Sequence, residues 1–238
     1  MGGIIKRLGV LFCFAAIIVF CLPVGTQAAS VYGQEKDGIS VELEESDRYL
    51  TREIAMDLTQ KAVDKAKAEN KGSTSLLVRD YNHLSLEALQ GIAEIAGKMP
   101  LRLKADTITG GQLDVRITLE PALAVQDMCL LATMDSPRAV WIKELFEGGY
   151  DNQVMVISLA EPVGFGMSVE VIAKLEKGLD AETLFIYSYN RSSKETVLLE
   201  ETGAWLDENG FLHFNTSVAG ALVITDSPLH WKGIGENF

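Results

Sequence analysis

Gln112-Leu113-Asp114-Val115-Arg116-Ile117-Thr118-Leu119 alternates without a break, with Leu113, Val115, Ile117 and Leu119 on one side and Asp114, Arg116 and Thr118 on the other. Successive side chains of a strand point to opposite faces, so this spacing predicts a strand with one apolar and one polar face. The residues before it say what it pairs with. Leu101 to Ala105 reads as a shorter strand. Ahead of that, Ser85 is placed to cap a helix whose Leu86, Leu89, Ile92, Ala93 and Ala96 share a face, closed by Gly97 and Pro100. Ser75 to Arg79 is another short strand, and Thr51 with Glu53 opens an earlier helix. That helix runs to about Glu69 with Ile54, Leu58, Ala62 and Ala66 on one face, and Asn70-Lys71-Gly72 ends it. Before it, Ile39, Val41 and Leu43 alternate with Ser40, Glu42 and Glu44. The order β-α-β-α-β-β predicts a small sheet with helices on one face over residues 29–122.

Beyond Pro121 the pattern changes to strands and turns, which places a boundary near residues 120–127. Met128 to Met134 reads as a strand, and Ser136-Pro137 opens a short helix stopped by Gly148-Gly149. Strands follow at Val154–Leu159, Met167–Leu175, Leu184–Tyr189, Thr196–Glu200, Phe211–Asn215 and Ala221–Thr225. Asn190-Arg191-Ser192-Ser193 and Asp207-Glu208-Asn209-Gly210 are expected as hairpin turns. The class is therefore α+β, with a small N-terminal βαβαββ subdomain and an antiparallel, β-sandwich-like subdomain over 123–238.

The N-terminal stretch reads as an export signal. Lys6 and Arg7 precede an uncharged apolar run from Leu8 to Leu22, which Pro23 and Gly25 break. Thr26-Gln27-Ala28 then gives small residues at the positions a signal peptidase reads, so cleavage is expected between Ala28 and Ala29. The run is shorter than the ~20 residues of a spanning helix, so no membrane attachment is expected once it is removed. A lipid anchor at Cys21 is disfavoured by the bulky Phe20 before it. Cys13 and Cys21 lie within the signal, leaving Cys129 without a disulfide partner. Export without disulfides fits a Gram-positive or anaerobic setting.

The chain holds 33 acidic against 21 basic residues, a formal net charge of −12. Such a surface disfavours nucleic acid, whose phosphates need a basic patch.

The C-terminal half resembles a family of exported or cell-surface proteins of Gram-positive anaerobes. Ala181-Glu182-Thr183-Leu184-Phe185-Ile186-Tyr187-Ser188-Tyr189-Asn190 is similar to the family's aromatic strand. Leu206-Asp207-Glu208-Asn209-Gly210-Phe211-Leu212-His213-Phe214 and Gly220-Ala221-Leu222-Val223-Ile224-Thr225-Asp226-Ser227-Pro228-Leu229 are similar to its tail. Gly164-Phe165-Gly166-Met167 matches a glycine-rich entry to a central strand, and Leu84 to Leu89 with Ile92-Ala93 resembles the helical half. The resemblance covers most of residues 75–229. It implies a fold and an extracellular setting, and brings no catalytic residue. Some members carry wall-sorting tails; no sorting motif precedes Phe238, so covalent wall attachment is not expected.

Few residues carry recognisable chemistry. His83, His213 and His230 pair at no metal-ligand spacing with one another or with Cys129, so no metal or other cofactor is expected. His213 alternates with Leu212 and Phe214, which predicts a surface or interface histidine. Cys129 sits in an apolar run and reads as a buried, inert thiol. Gly164 and Gly166 precede a strand rather than a helix, so they make no nucleotide loop. Asp207 to Gly210 matches the start of a calcium loop, but the twelfth position is Val218 where a Glu is needed. Glu42, Glu44 and Glu45 read as a solvated edge.

The aromatic strand is the remaining candidate. Leu184 and Ile186 point one way, and Phe185, Tyr187 and Tyr189 the other, so both faces need cover. One reading is intrachain packing. The other is a sugar platform of Tyr187 and Tyr189 with Trp205, whose flat rings suit pyranose stacking. The expected function is a secreted, non-catalytic module that binds a cell-wall polymer, a glycan or a protein partner. The alternatives are an extracellular hydrolase with a dispersed acidic site, and a structural spacer or assembly subunit.

Overall fold

A computed structural model describes residues 38–41, 50–79, 83–160, 164–180 and 183–232. The expected cleavage site at Ala28 and Ala29 and the acids Glu42, Glu44 and Glu45 lie outside the described residues. Elements in chain order are β1 (Ile39–Val41), α1 (Arg52–Ala68), β2 (Thr74–Arg79), α2 (Leu86–Ala96), β3 (Leu101–Thr109), β4 (Gln112–Leu119), β5 (Ala132–Thr133), α3 (Pro137–Gly149), β6 (Met155–Leu159), β7 (Val169–Lys174), β8 (Phe185–Asn190), β9 (Glu195–Leu198), β10 (Trp205–Leu206), β11 (Phe211–Thr216) and β12 (Ala221–Thr225). A short 3-10 turn covers Pro121–Leu123.

The helices start where hydroxyl side chains can satisfy their free N–H groups. Thr51 Oγ1 accepts from the Ile54 amide, Ser85 Oγ from Ala88 and Ser136 Oγ from Ala139. α1 buries Ala55, Thr59, Ala62, Val63 and Ala66, while Ile54 and Leu58 are only half-buried. Small side chains let α1 and α2 approach closely. A Cβ on Gly91 of α2 would meet Met56 at 3.0 Å and Arg52 at 3.1 Å. The Arg52–Glu94 ion pair, at 2.6 Å, ties the two helices across their exposed side.

β1, β2 and β3 are parallel, as the α1 and α2 crossovers require. β4 returns antiparallel to β3, and the sheet then continues to β7, β11 and β10. The result is a seven-stranded sheet in the order β1-β2-β3-β4-β7-β11-β10, with a five-stranded antiparallel sheet in the order β5-β6-β12-β8-β9. The fold is α+β with a β-sandwich-like C-terminal part.

One apolar cluster fills the space between these layers. Leu76, Leu103, Ile117, Val171 and Phe214 of the large sheet face α2's Leu89 and Ile92 at one end and Ile157, Ile186 and Leu222 of the small sheet at the other. The turn at Pro121–Leu123 falls within the expected boundary at 120–127. Strand pairing passes across it: β4 pairs with β7 over Val115↔Ala173, Arg116↔Ile172, Ile117↔Val171 and Thr118↔Glu170.

Three local expectations change. Met128 to Met134 does not form one strand; only Ala132–Thr133 does. Met128 instead makes a two-way bridge with Leu84, and Asp127 Oδ1 accepts from the Leu86 amide at 2.7 Å, so this segment is tied to the start of α2. Between β3 and β4 the register shifts at Thr107 and Ile108, which pair with Val115 and Leu113, so Asp114 of β4 is bulged. Leu113 therefore clusters with Ile108, Ile172 and Phe211, apart from Val115 and Ile117. Cys129 is half-buried rather than buried.

Candidate functional site

The polar side chains of the large sheet line up in rows, because paired residues share a face. Trp205, His213, Ile172, Arg116, Asp106 and Arg79 are consecutive partners across β10, β11, β7, β4, β3 and β2. Asn215, Glu170, Thr118 and Lys104 form the next row. β4's second face was expected to be polar. It is polar in composition, yet Arg116 and Thr118 are buried.

Burial of Arg116 is compensated by geometry. Its Nε donates to Asp106 Oδ1 at 2.5 Å and a terminal nitrogen donates to Oδ2 at 2.7 Å, a bidentate pair. Removing one partner of such a buried pair typically costs about 3–5 kcal/mol, because the other charge is left uncompensated.

His213, expected at a surface or an interface, is buried. Its Nδ1 lies 3.2 Å from Glu170 Oε1 and its Nε2 3.6 Å from Asp207 Oδ2. Alternation placed it correctly opposite Leu212 and Phe214, but could not show that the opposite face also holds two carboxylates and an indole. Trp205 stacks on the imidazole with centroids 4.1 Å apart and 18° between planes. Trp205 as a residue is 54% exposed. Its seat is rigid because Asp207 also organises the following turn: Oδ1 accepts from the Asn209 and Phe211 amides at 2.9 and 2.8 Å. Gly210, at φ 76°, supplies the left-handed residue that turn needs. The hairpin expected at Asp207 to Gly210 is thus present.

Three cavities run along the same end of the large sheet. The largest, about 610 Å³, lies beside the end of α2 and includes Lys98, Arg102, Lys104 and Glu120 in its lining. A second, about 400 Å³, shares Arg102 and Glu120 with the first and adds Thr118, Glu170 and Asn215. A third, about 490 Å³, shares Asn215 and Ser168 with the second and reaches Glu200, Glu201 and Thr202. Their shared lining residues set them side by side, and this row, the trough, crosses the strands from β2 to β11. Four strand spacings give it a length of about 19 Å. Glu170 links it to the aromatic seat, since it lines the middle cavity and contacts His213. Among the described residues, the buried Thr118 Oγ1 in the trough wall finds no hydrogen-bond partner, which costs about 1–3 kcal/mol.

The structure separates the three aromatics expected to form one platform. Tyr187 and Tyr189 lie under α3 in a cluster with Ala139, Ile142, Phe146 and Val156. The Tyr189 ring meets Phe146 edge-on at 5.3 Å, and Tyr187 Oη accepts from the Leu229 amide at 3.2 Å. Trp205 sits on the edge strand of the other sheet. It is the one of the three that presents a ring to solvent.

The other polar candidates take structural places. His83 lies 3.8 Å from Asp127 in a loop, and His230 is exposed, with its amide donating to Asn152 Oδ1. Asp114, turned by the bulge, accepts from the Met134 amide at 3.0 Å. Burial raises its pKa, against the lowering effect of that hydrogen bond. Among the described residues no group of three His, Cys, Asp or Glu side chains is placed to hold a metal ion. The chain matches no protein-family model and no curated protein.

Proposed function

We propose that the protein is a secreted, non-catalytic module that binds an extended extracellular glycan, with the trough as its groove and Trp205 at its edge. The observation that carries this reading is the Trp205 seat: an exposed indole stacked on a buried imidazole that Glu170 contacts at 3.2 Å, with Asp207 3.6 Å from its other nitrogen. A flat aromatic held rigid loses little freedom when a sugar ring stacks on it. The trough supplies hydroxyl, amide and carboxylate groups for sugar hydroxyls, from Ser168, Asn215 and Glu170. The resemblance to exported proteins of Gram-positive anaerobes is in keeping with this setting. The hydrolase alternative is less favoured. Of the two carboxylates at His213, Asp207 is already committed to the turn that forms the hairpin.

The test is retention of the purified protein on wall fractions and a glycan array, with Trp205→Ala as the comparison. The expected result is that wild type is retained, and that the variant loses retention while its melting temperature stays within a few degrees. Equal retention of both proteins would remove Trp205 from the site.

A further inference from the structure

We propose that the α2 end of the trough is an oxyanion subsite, so that the glycan it holds carries carboxylate or phosphate groups. This rests on the reading of the trough as a polymer-binding groove. The cavity of about 610 Å³ at the end of α2 has three cations in its lining, Lys98, Arg102 and Lys104, against one acid, Glu120. That balance is the reverse of the whole chain, which has 33 acids and 21 bases. Elsewhere cations find acidic partners, as in Arg52–Glu94, Lys61–Asp57 and Lys143–Glu176. Among the described residues, the side chains of Lys98 and Arg102 make no ion pair or hydrogen bond, although each stands in an acid-rich protein, whereas Lys104 has a partner. Arg102 lines both the largest and the middle cavity, so its guanidinium stands where a ligand passes from one to the other. The planar fork of Arg matches the two oxygens of a carboxylate or phosphate.

The acidic surface does not cancel this local field. At physiological salt the screening length is about 8 Å, so acids beyond that distance act weakly at the cavity while Lys98 and Arg102, which line it, act directly. The far end of the trough is different: Glu200 and Glu201 line the third cavity and repel an anion. The charge pattern therefore orients the ligand. Its anionic unit sits beside Arg102, and uncharged units extend toward Asn215 and the Trp205 edge.

The experiment compares retention on three immobilised polymers: glucuronoxylan, whose carboxylates are spaced along a neutral chain, a phosphomannan and neutral xylan. Wild type, Arg102→Gln and Trp205→Ala are each assayed, with melting curves for all three. Arg102 is exposed, so its variant is expected to fold normally. Wild type should prefer a charged polymer to xylan. Arg102→Gln should lower that retention about tenfold or more, the worth of a charge-assisted hydrogen bond, and raised salt should lower it further. Preference for the carboxylate or for the phosphate polymer identifies the source of the oxyanion, and either supports the proposal. Xylan retained as well as the charged polymers, or an Arg102→Gln protein that binds like wild type, would overturn it. Loss on Trp205→Ala with no effect of Arg102→Gln leaves the glycan reading standing without this subsite. The opposite pattern leaves the subsite standing and removes Trp205. A wild type that retains none of the three polymers overturns both.

Discussion

Tyr189→Ala tests which side of β8 is covered, and by what. Tyr189 is 6% exposed, and its ring edge meets Phe146, itself 2% exposed, in the layer between α3 and the small sheet. A tyrosine side chain buries roughly 150–250 Å². At about 25 cal/mol per Å² the transfer contribution is about 4–6 kcal/mol. Measured aromatic-to-alanine substitutions in cores fall at about 3–5 kcal/mol, which already includes the cavity left behind. The expected loss is therefore about 3–5 kcal/mol. A chain of this size loses about 2–4 °C per kcal/mol, so the melting temperature should fall by roughly 6–20 °C. Urea and thermal unfolding followed by circular dichroism measure it. Tyr187→Phe is the companion: it keeps the ring and removes only the oxygen that accepts from the Leu229 amide, so about 1 kcal/mol is expected. A Tyr189→Ala protein that melts like wild type would refute the cover by α3. If it also lost retention on glycan, the tyrosine platform would replace the Trp205 site.

Two further outcomes follow from the sheet. A fragment of residues 123–238 lacks β4, the strand to which β7 is hydrogen-bonded, and leaves Val171 and Ala173 of the shared core uncovered; expressed alone it is expected to show no cooperative unfolding, and a sharp urea transition would show that the C-terminal half carries its own core. Asp114→Asn tests the bulge: burial raises the folded-state pKa of Asp114 above its unfolded value, so the folded state holds the proton more tightly and stability falls as pH rises from the unfolded value through the folded one. Asn keeps an oxygen for the Met134 amide and removes the charge, so the variant's stability relative to wild type should improve between about pH 3 and about pH 7, as urea midpoints would show; a difference independent of pH would refute the sign.

Much of the fold was legible because it is written in local signals. Thr51, Ser85 and Ser136 stand where hydroxyls cap helices, and each does so. Alternation located β4 to the residue, and the apolar run Ala221–Thr225 is β12. What failed were places where a long-range contact overrides the local pattern. Met128 to Leu131 is apolar enough for a strand, but its backbone is taken by Leu84, more than forty residues earlier. β10 is only two residues long, and pairing with β11 defines it rather than any run of its own. The bulge at Asp114 breaks no alternation in the sequence, because alternation describes one strand and a bulge exists only between two.

The site was less legible for a related reason. Its members come from β3, β4, β7, β10 and β11 and are neighbours only through register. Glu170 means little until Thr118 and Asn215 are opposite it, and Arg102 means little until α2 ends beside it. Sequence did single out Trp205, but grouped it with Tyr187 and Tyr189 because all three are aromatic and close in the chain. Strand order separates them: β8 is the fourth strand of the small sheet, and β10 is the edge of the large one. The buried tyrosines belong to packing because α3 can reach them. Trp205 stays outside because, among the described residues, no strand lies beyond β10 and no element packs over the ring. Its exposure is thus a consequence of topology, and the imidazole, the two carboxylates and the Asp207 turn turn that exposure into a fixed surface.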